Sequence, residues 1–468
     1  MADQAKFLTG NLFRHVTVMS LTASVGLMAI FAVDFVDMIF IAMLGKAELA
    51  AAIGYAGAIL FFTTSFGIGM AIAAGALVAR SLGAGEEEAA RTKASNALAL
   101  GVVFGAVFAA VVWLNLRAIV ELLGAEGETA DLAVLYLQII VPTLPALMVG
   151  MMGGAILRAH GDARGAMMAT LYGGATNAVL DPILIFGLDL ELTGAALASV
   201  AARLVIAATA LVPIFRKHGG LDRPSLGAML GDLRMVAAIA VPAILTQLAT
   251  PVGQAFVTRA MAEFGEAAVA GMAIVGRLTP LAFGVIFALS GAVGPIIGQN
   301  AGAGDSARVR GAVQAAILFT ALFVGGMTAL LFGLRGPIAA LFDAEGVTRD
   351  LVFLFCGPLA LVFFFNGLLF VCNAAFNNLG KPFYSTLVNW GRHTLGTVPL
   401  VMLGAWWLGA PGVLIGQAVG GVLFGAVAWG LLRRVIPNTT SPSPETASDE
   451  EPFQRRHGRI LSLFMHRR

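Results

Sequence analysis

The sequence predicts an all-α integral membrane protein of twelve transmembrane helices in two parallel six-helix repeats. Three observations carry this. Of 468 residues, 58% are hydrophobic and only 12% charged, with a mean hydropathy of +0.87; soluble domains carry about 25% charged residues. Twelve apolar runs are each long enough to cross a bilayer, which takes about 20 helical residues. Two stretches of the first half recur in the second at an offset of about 220 residues.

The runs fall at 15–43, 51–80, 94–119, 131–157, 164–187 and 193–215, then at 234–260, 269–298, 309–334, 350–378, 383–408 and 411–435. None alternates with period two, so no strand is predicted. The long runs imply tilt or protruding ends. Prolines at 142, 145, 242, 251, 280, 295, 358 and 399 mark kinks. The first run carries Asp34 and Asp37 and is too long for a cleavable signal peptide. Cys356 and Cys372 share one run about four helical turns apart, which excludes a disulfide between them.

Basic residues set the orientation. Loops on the side of the termini hold Lys6, Arg14, Arg80, Arg91, Lys93, Arg158, Arg164, Arg216, Lys217, Arg223, Arg234, Arg308, Arg310, Lys381, Arg433 and Arg434. The opposite loops hold only Lys46, Arg117, Arg259, Arg335 and Arg349. Both termini are therefore expected in the cytoplasm, with the chain in the cytoplasmic membrane.

The repeat lies in the loops. Gly75–Gly85 (GALVARSLGAG) matches Gly294–Gly304 (GPIIGQNAGAG), with Arg91 and Arg310 six residues beyond. Leu44–Ala50 (LGKAELA) matches Phe264–Ala270 (FGEAAVA). Six spans per half start and end on one side, so the halves are parallel repeats with the substrate cavity expected between them. The predicted division is an N lobe at 1–215, a cytoplasmic linker at 216–233, a C lobe at 234–436, and a polar, Pro/Ser-rich tail at 437–468 expected to be disordered.

Carboxylates inside apolar runs are the candidate chemistry, because an ion in hydrocarbon costs about 2.5–3.5 kcal/mol or more and normally faces a wet interior. Asp34 and Asp37 stand one helical turn apart in the first run; two like charges so close in low dielectric do not both stay ionised, which suits a proton carrier. Asn177 and Asp181 point the same way at i, i+4, and Pro182 disturbs the ladder behind them. Ser199 on the next run adds a hydroxyl. Carboxylate, amide and hydroxyl oxygens suit H⁺ or Na⁺, so Asp37, Asn177, Asp181, Ser199 and Asp34 are the expected coupling set, with Na⁺ at Asp37, Asn177 and Asp181 as the metal option. Arg203 is expected to neutralise an acid of this half. In the second half, Arg277, Arg392, Gln247, Gln254, Asn366 and Asn373 are the candidate cavity residues. The readings weighed for them are substrate contact, snorkelling for the arginines, and interhelical hydrogen bonding for the amides.

No Walker motif and no His or Cys ligand spacing appears, so neither ATP hydrolysis by this chain nor a bound cofactor is expected. A formal net charge of +2 suggests no nucleic-acid partner. The expected partners are a small-molecule substrate and membrane lipid, and nothing demands an oligomer beyond a monomer.

Together, Phe35–Ile41 (FVDMIFI), Leu44-Gly45, Leu49–Gly54 (LAAAIG), the paired Gly-Ala-Gly loops at 83–85 and 302–304, and Val241–Gln247 (VPAILTQ) resemble the MATE (multidrug and toxic compound extrusion) transporters over residues 10–436. The resemblance implies two six-helix lobes around a V-shaped cavity, alternating access, and cation-coupled efflux of mostly cationic, amphipathic compounds. It places Asp37 on the family's first-helix carboxylate. Asn177, Asp181 and Ser199 fall on the N-lobe ion cluster of the branch with archaeal and DNA-damage-inducible-protein-F-like members. Another branch has a glutamate in the seventh helix where this chain has Thr250. The first helix lacks the proline often found near Leu21–Thr22, leaving Gly26 as the alternative bending point. The expected function is a Na⁺- or H⁺-coupled antiporter, not an enzyme; the alternative is a flippase for lipid-linked glycans or another amphiphile.

Overall fold

The computed structural model describes residues 5–439. The N lobe comprises α1 (Leu12–Met43), α2 (Ala47–Gly83), α3 (Glu87–Leu114), α4 (Gly127–Ala159), α5 (Ala163–Pro182, continued by a π-turn at Ile183–Gly187) and α6 (Glu191–Lys217). The C lobe comprises α7 (Leu226–Ala262), α8 (Glu266–Gly302), α9 (Ser306–Leu341), α10 (Gly346–Asn378), α11 and α12 (Ala410–Thr439). α11 runs as Pro382–Gly391, a π-turn at Arg392–Gly396, then Thr397–Leu408. No strand occurs among the described residues.

Ten of the twelve, all but α5 and α11, are long and apolar enough to cross a membrane. The other two carry more polar residues, among them Asn177 and Asp181 in α5 and Asn389, Arg392 and His393 in α11, and each holds a π-turn, where one carbonyl in the ladder loses its usual partner. α4 is broken by a 3₁₀ turn at Val141–Thr143 containing Pro142, and α10 by a π-turn at Phe355–Leu359 containing Pro358. The predicted run 94–119 divides at Asn115, where a short separate helix, Leu116–Leu122, begins. The linker expected at 216–233 is shorter: α6 continues to Lys217 and α7 starts at Leu226, where Ser225 Oγ accepts from Ala228 N at 3.2 Å. Pro437–Thr439 belong to the end of α12, and the rest of the tail lies outside the described residues.

The repeat is visible in the turns. Gly85 and Gly304 close α2 and α8 at φ of +79° and +73°, and Gly45 and Gly265 precede α2 and α8 at +68° and +88°. Only glycine adopts this left-handed backbone at no steric cost, which is why these short motifs recur.

α1 packs along α5 of its own lobe and α8 of the other; α2 packs along α4 and along α7. The two halves are thus joined through pseudo-equivalent helices, the base of a V. On the side carrying the N-terminus, α2 and α8 touch backbone to backbone. A Cβ on Gly83 would lie 1.9 Å from the Gln299 carbonyl oxygen, and one on Gly302 would lie 2.0 Å from that of Arg80. Phe7, 1% exposed, is locked beneath this crossing. Its N–H donates to Gln299 Oε1 at 2.8 Å, and Gln299 Nε2 donates to Ala159 O at 2.8 Å. Lys6 Nζ reaches Gly161 O at 2.8 Å, while Arg308 Nη2 donates to Phe7 O at 2.8 Å. One segment before α1 therefore ties α4 to α8 and α9.

α1 is unbroken. Gly26, the alternative bending point, serves as a close-packing site instead: a Cβ there would stand 3.5 Å from Thr170 Cβ of α5. The clear backbone break is at Phe283 in α8 (φ −114°, ψ 15°), three residues after Pro280, where Phe283 stacks on Phe363 at 4.1 Å between ring centroids.

Candidate functional site

Small residues bring the acid-bearing helices together. Gly173 on α5 has room for no side chain against Ile206 and Ala202 of α6, and Gly194 of α6 is pressed against the Leu184–Ile185 backbone. Pro182 opens the π-turn behind Asp181, where Leu188 N bonds Ile183 O at 2.9 Å, five residues back. The resulting α1–α5–α6 wall points Asp37, Asn177 and Asp181 at one another.

Asn177 Nδ2 donates to Asp181 Oδ2 at 2.5 Å and faces both oxygens of Asp37 at 3.4 Å. Asp181 is fully buried and Asn177 nearly so. Asp181 Oδ1 is also buried and receives no N–H or hydroxyl donor among the described residues. The carboxyl groups of Asp181 and Asp37 stand close to each other across the same asparagine, which contacts both. Two carboxyl groups so close need a shared proton, or a cation, between them. The asparagine was expected to offer its amide oxygen to an ion; here its NH₂ group faces the acids.

The other predicted members divide. Ser199 stands beside the hydroxyl of Tyr136 on α4, and no hydrogen bond from it to a carboxylate is found among the described residues. Asp34, one turn from Asp37, is exposed and makes no hydrogen bond to the cluster among the described residues. Arg203 does not neutralise an acid by direct contact. Its Nη1 donates to Ile140 O at 3.2 Å and Thr143 Oγ1 at 3.1 Å. Thr143 Oγ1 itself donates to Ile140 O at 2.7 Å, so the guanidinium joins a hydroxyl–carbonyl pair at the 3₁₀ turn. Tyr136, half-buried within electrostatic reach of Asp37, Asp181 and Arg203, was not foreseen. Its signal was a phenol in an apolar run, one of four tyrosines in the chain.

In the C lobe, Asn373 belongs to a buried interhelical ladder: its Oδ1 accepts from Asn389 Nδ2 at 3.1 Å, and its carbonyl accepts from Ser385 Oγ at 3.3 Å. Arg277 is exposed. Gln254 Oε1 accepts from Gln417 Nε2 at 2.9 Å. Asn366 and Arg392 lie on facing sides of Gly421, while Gln247 is half-buried on α7.

The MatE family model matches residues 22–183 and again 242–403, one copy per lobe. The chain belongs to the MatE family of transporters. It is a multi-pass membrane protein, and its two matched segments are the two halves seen in the fold. Among curated relatives, a FAD transporter from Shewanella oneidensis is 28% identical over 455 residues, covering 95% of this chain and all of that protein. The multidrug export protein MepA of Staphylococcus aureus is 25% identical over 72% of this chain and 75% of its own length. An aspartate-to-asparagine mutant of the Vibrio cholerae MATE transporter VcmN superposes with a TM-score of 0.86 at 25% identity, covering 91% of this chain and 97% of that one.

Proposed function

We propose that this MatE-family protein is a cation-coupled antiporter that exports amphipathic organic compounds by alternating access, with Asp37, Asn177 and Asp181 as its coupling site. The observation that carries this is the buried Asp181 Oδ1, which has no donor, in a carboxyl group held beside that of Asp37 by their shared contact to Asn177. An arriving H⁺, or Na⁺ in its place, satisfies both carboxylates and draws α1 to α5. Departure of the ion leaves two like charges that push the helices apart. A ligand shifts such an equilibrium only through its different affinity for the two arrangements, and this contact exists in only one of them. The pairing of two carboxyl groups favours H⁺ as the physiological ion. Ser199 and Tyr136 support the wall behind the pair, and Asp34 on the exposed side of α1 is the entry carboxylate.

For the cargo, the multidrug export relatives support drugs, and the family resemblance makes these mostly cationic. The FAD transporter, matched along its whole length, favours an anionic aromatic compound as the second reading. On this reading the chain belongs with the branch that includes archaeal members, both termini lie in the cytoplasm, and the working unit is the monomer.

The test is efflux of a cationic dye and of a flavin nucleotide from everted vesicles, with H⁺ and Na⁺ gradients imposed separately. The expected outcome is gradient-driven movement of one of these cargos, lost in Asp37→Asn and Asp181→Asn with the protein still folded and inserted. Undiminished gradient-driven efflux by Asp37→Asn would sink the reading.

A further inference from the structure

The C lobe holds a second polar site on the helices that repeat those of the acid cluster, with the opposite charge. The matched turns at Gly45 and Gly265 register α1 on α7, which sets Asp34 opposite Gln254 and Asp37 opposite the buried Val257. The acid cluster and its support draw on α1, α4, α5 and α6; the corresponding helices are α7, α10, α11 and α12. On these four lie Gln254, Asn366, Arg392 and Gln417. Gln417 is bonded to Gln254, and Gly421 stands one turn beyond Gln417 on the same face of α12. The place where a Cβ of Gly421 would stand is 3.7 Å from Asn366 Oδ1 and 3.8 Å from both Nε and Nη2 of Arg392. The glycine keeps a small space open, and a guanidinium and an amide stand on its rim. Arg392 opens the π-turn of α11, which turns its side chain toward α12 and that of His393 toward Gly253 of α7.

Charge and hydrogen bonds are left over here. Residues 234–262, 382–408 and 410–436 contain no acid. Among the described residues no carboxylate pairs with Arg392 and its guanidinium makes no hydrogen bond. Asn366 Oδ1 has no donor. Beside them His393, 4% exposed, has no partner for either ring nitrogen. A guanidinium brings five N–H donors in a planar fork, and leaving them unused inside a membrane span is costly. An intramembrane ion without a protein counter-charge marks a ligand. The fork matches the oxygens of a phosphate group in paired hydrogen bonds, and a neighbouring amide can add an N–H to the same group.

We propose that Arg392, with Asn366, Gln254 and Gln417 around it, binds a phosphate-bearing anion. The phosphate belongs either to a soluble cargo or to a lipid headgroup. The inference rests on the exporter reading and gives it a charge: the N lobe takes the driving cation and the C lobe holds the anionic end of the cargo. Arg392 then serves as an anion-binding residue, not a helix-packing one.

The experiment uses the full chain, purified, with three probes: ADP, inorganic pyrophosphate, and nanodiscs of phosphatidylglycerol against phosphatidylcholine. Calorimetry is expected to show ADP or pyrophosphate binding to the wild type. Arg392→Gln should weaken it at least about tenfold, the scale of a lost charge-assisted pair, with partial recovery in Arg392→Lys. Asn366→Leu should give a smaller loss and stands in should Arg392→Gln not fold. Stabilisation by phosphatidylglycerol alone, lost in Arg392→Gln, supports the same site with lipid as its source. No anion-dependent binding or stabilisation in the wild type, or equal effects in Arg392→Gln, overturns the proposal. Wild type that drives cargo efflux yet shows no anion dependence overturns this site and leaves the exporter reading standing. Anion binding without gradient-driven efflux of any cargo does the reverse.

Discussion

Asp181 has one oxygen satisfied by Asn177 and one buried without a donor, and the proposed role of the ion is to correct this inequality. The hydroxyl of Tyr136, beside Ser199, lies close enough to feel both acids. Tyr136→Phe removes a polar group on the scale of one hydrogen bond, about 1 kcal/mol. It is expected to shift the apparent ion affinity of transport by about fivefold while leaving the driven direction unchanged; an unaltered ion dependence removes Tyr136 from the site. Away from the membrane, Asp162 caps α5 by accepting from Gly165 N at 2.8 Å. A hydrogen bond from His218, reinforced by that N–H and by Lys217, holds its carboxyl at about 2. The folded value lies below the unfolded one, so this stabilisation is fully present above pH ~4 and is lost as pH falls toward ~2. Asp162→Ala should therefore cost about 1 kcal/mol of stability at neutral pH, and the gap to wild type in thermal unfolding should close between pH ~4 and ~2.

At the scale of elements, the apolar runs were legible because hydrocarbon demands about 20 consecutive apolar residues and leaves a plain trace. Their interruptions were not. Pro182 and Pro358 announced a disturbed ladder, but a proline does not say whether the chain answers with a kink, a 3₁₀ turn or a π-turn. Arg203 was misread for a related reason: a long guanidinium chooses among all acceptors in reach, and here it takes a carbonyl and a hydroxyl at the 3₁₀ turn of α4. Asp34 and Asp37 share a helix face at i, i+3, yet α5 packs on the side that half-buries Asp37 and leaves Asp34 exposed. The segment around Phe7 gave no warning, being polar and short. Gln299 is its keystone, since it serves Phe7 N–H and Ala159 C=O at once. Gln299→Leu leaves both backbone groups unpaired, a loss of about 2 kcal/mol. Amide exchange of residues 5–11 should rise by more than tenfold, and α2–α8 should separate more readily on that side; unchanged protection contradicts the latch.

Across the whole molecule, the repeat could be read from glycine turns because positive φ restricts the residue there, whereas the lobes' division of labour could not. The same fold carries acids on α1 and α5 and apolar or basic residues on α7 and α11. Asp37 and Asp181 were singled out as charge in hydrocarbon and Arg392 was weighed as substrate contact or snorkelling, but which groups each of them faces needed the packed structure. Alternating access built on that asymmetry requires the ion to bind the N lobe alone. The most direct measurement is ion uptake by the purified chain, as protons taken from the medium at a pH electrode and as radioactive sodium retained, in wild type and in Asp37→Asn. The account predicts roughly one ion per molecule in wild type and none in the variant. Equal uptake by the two would contradict it.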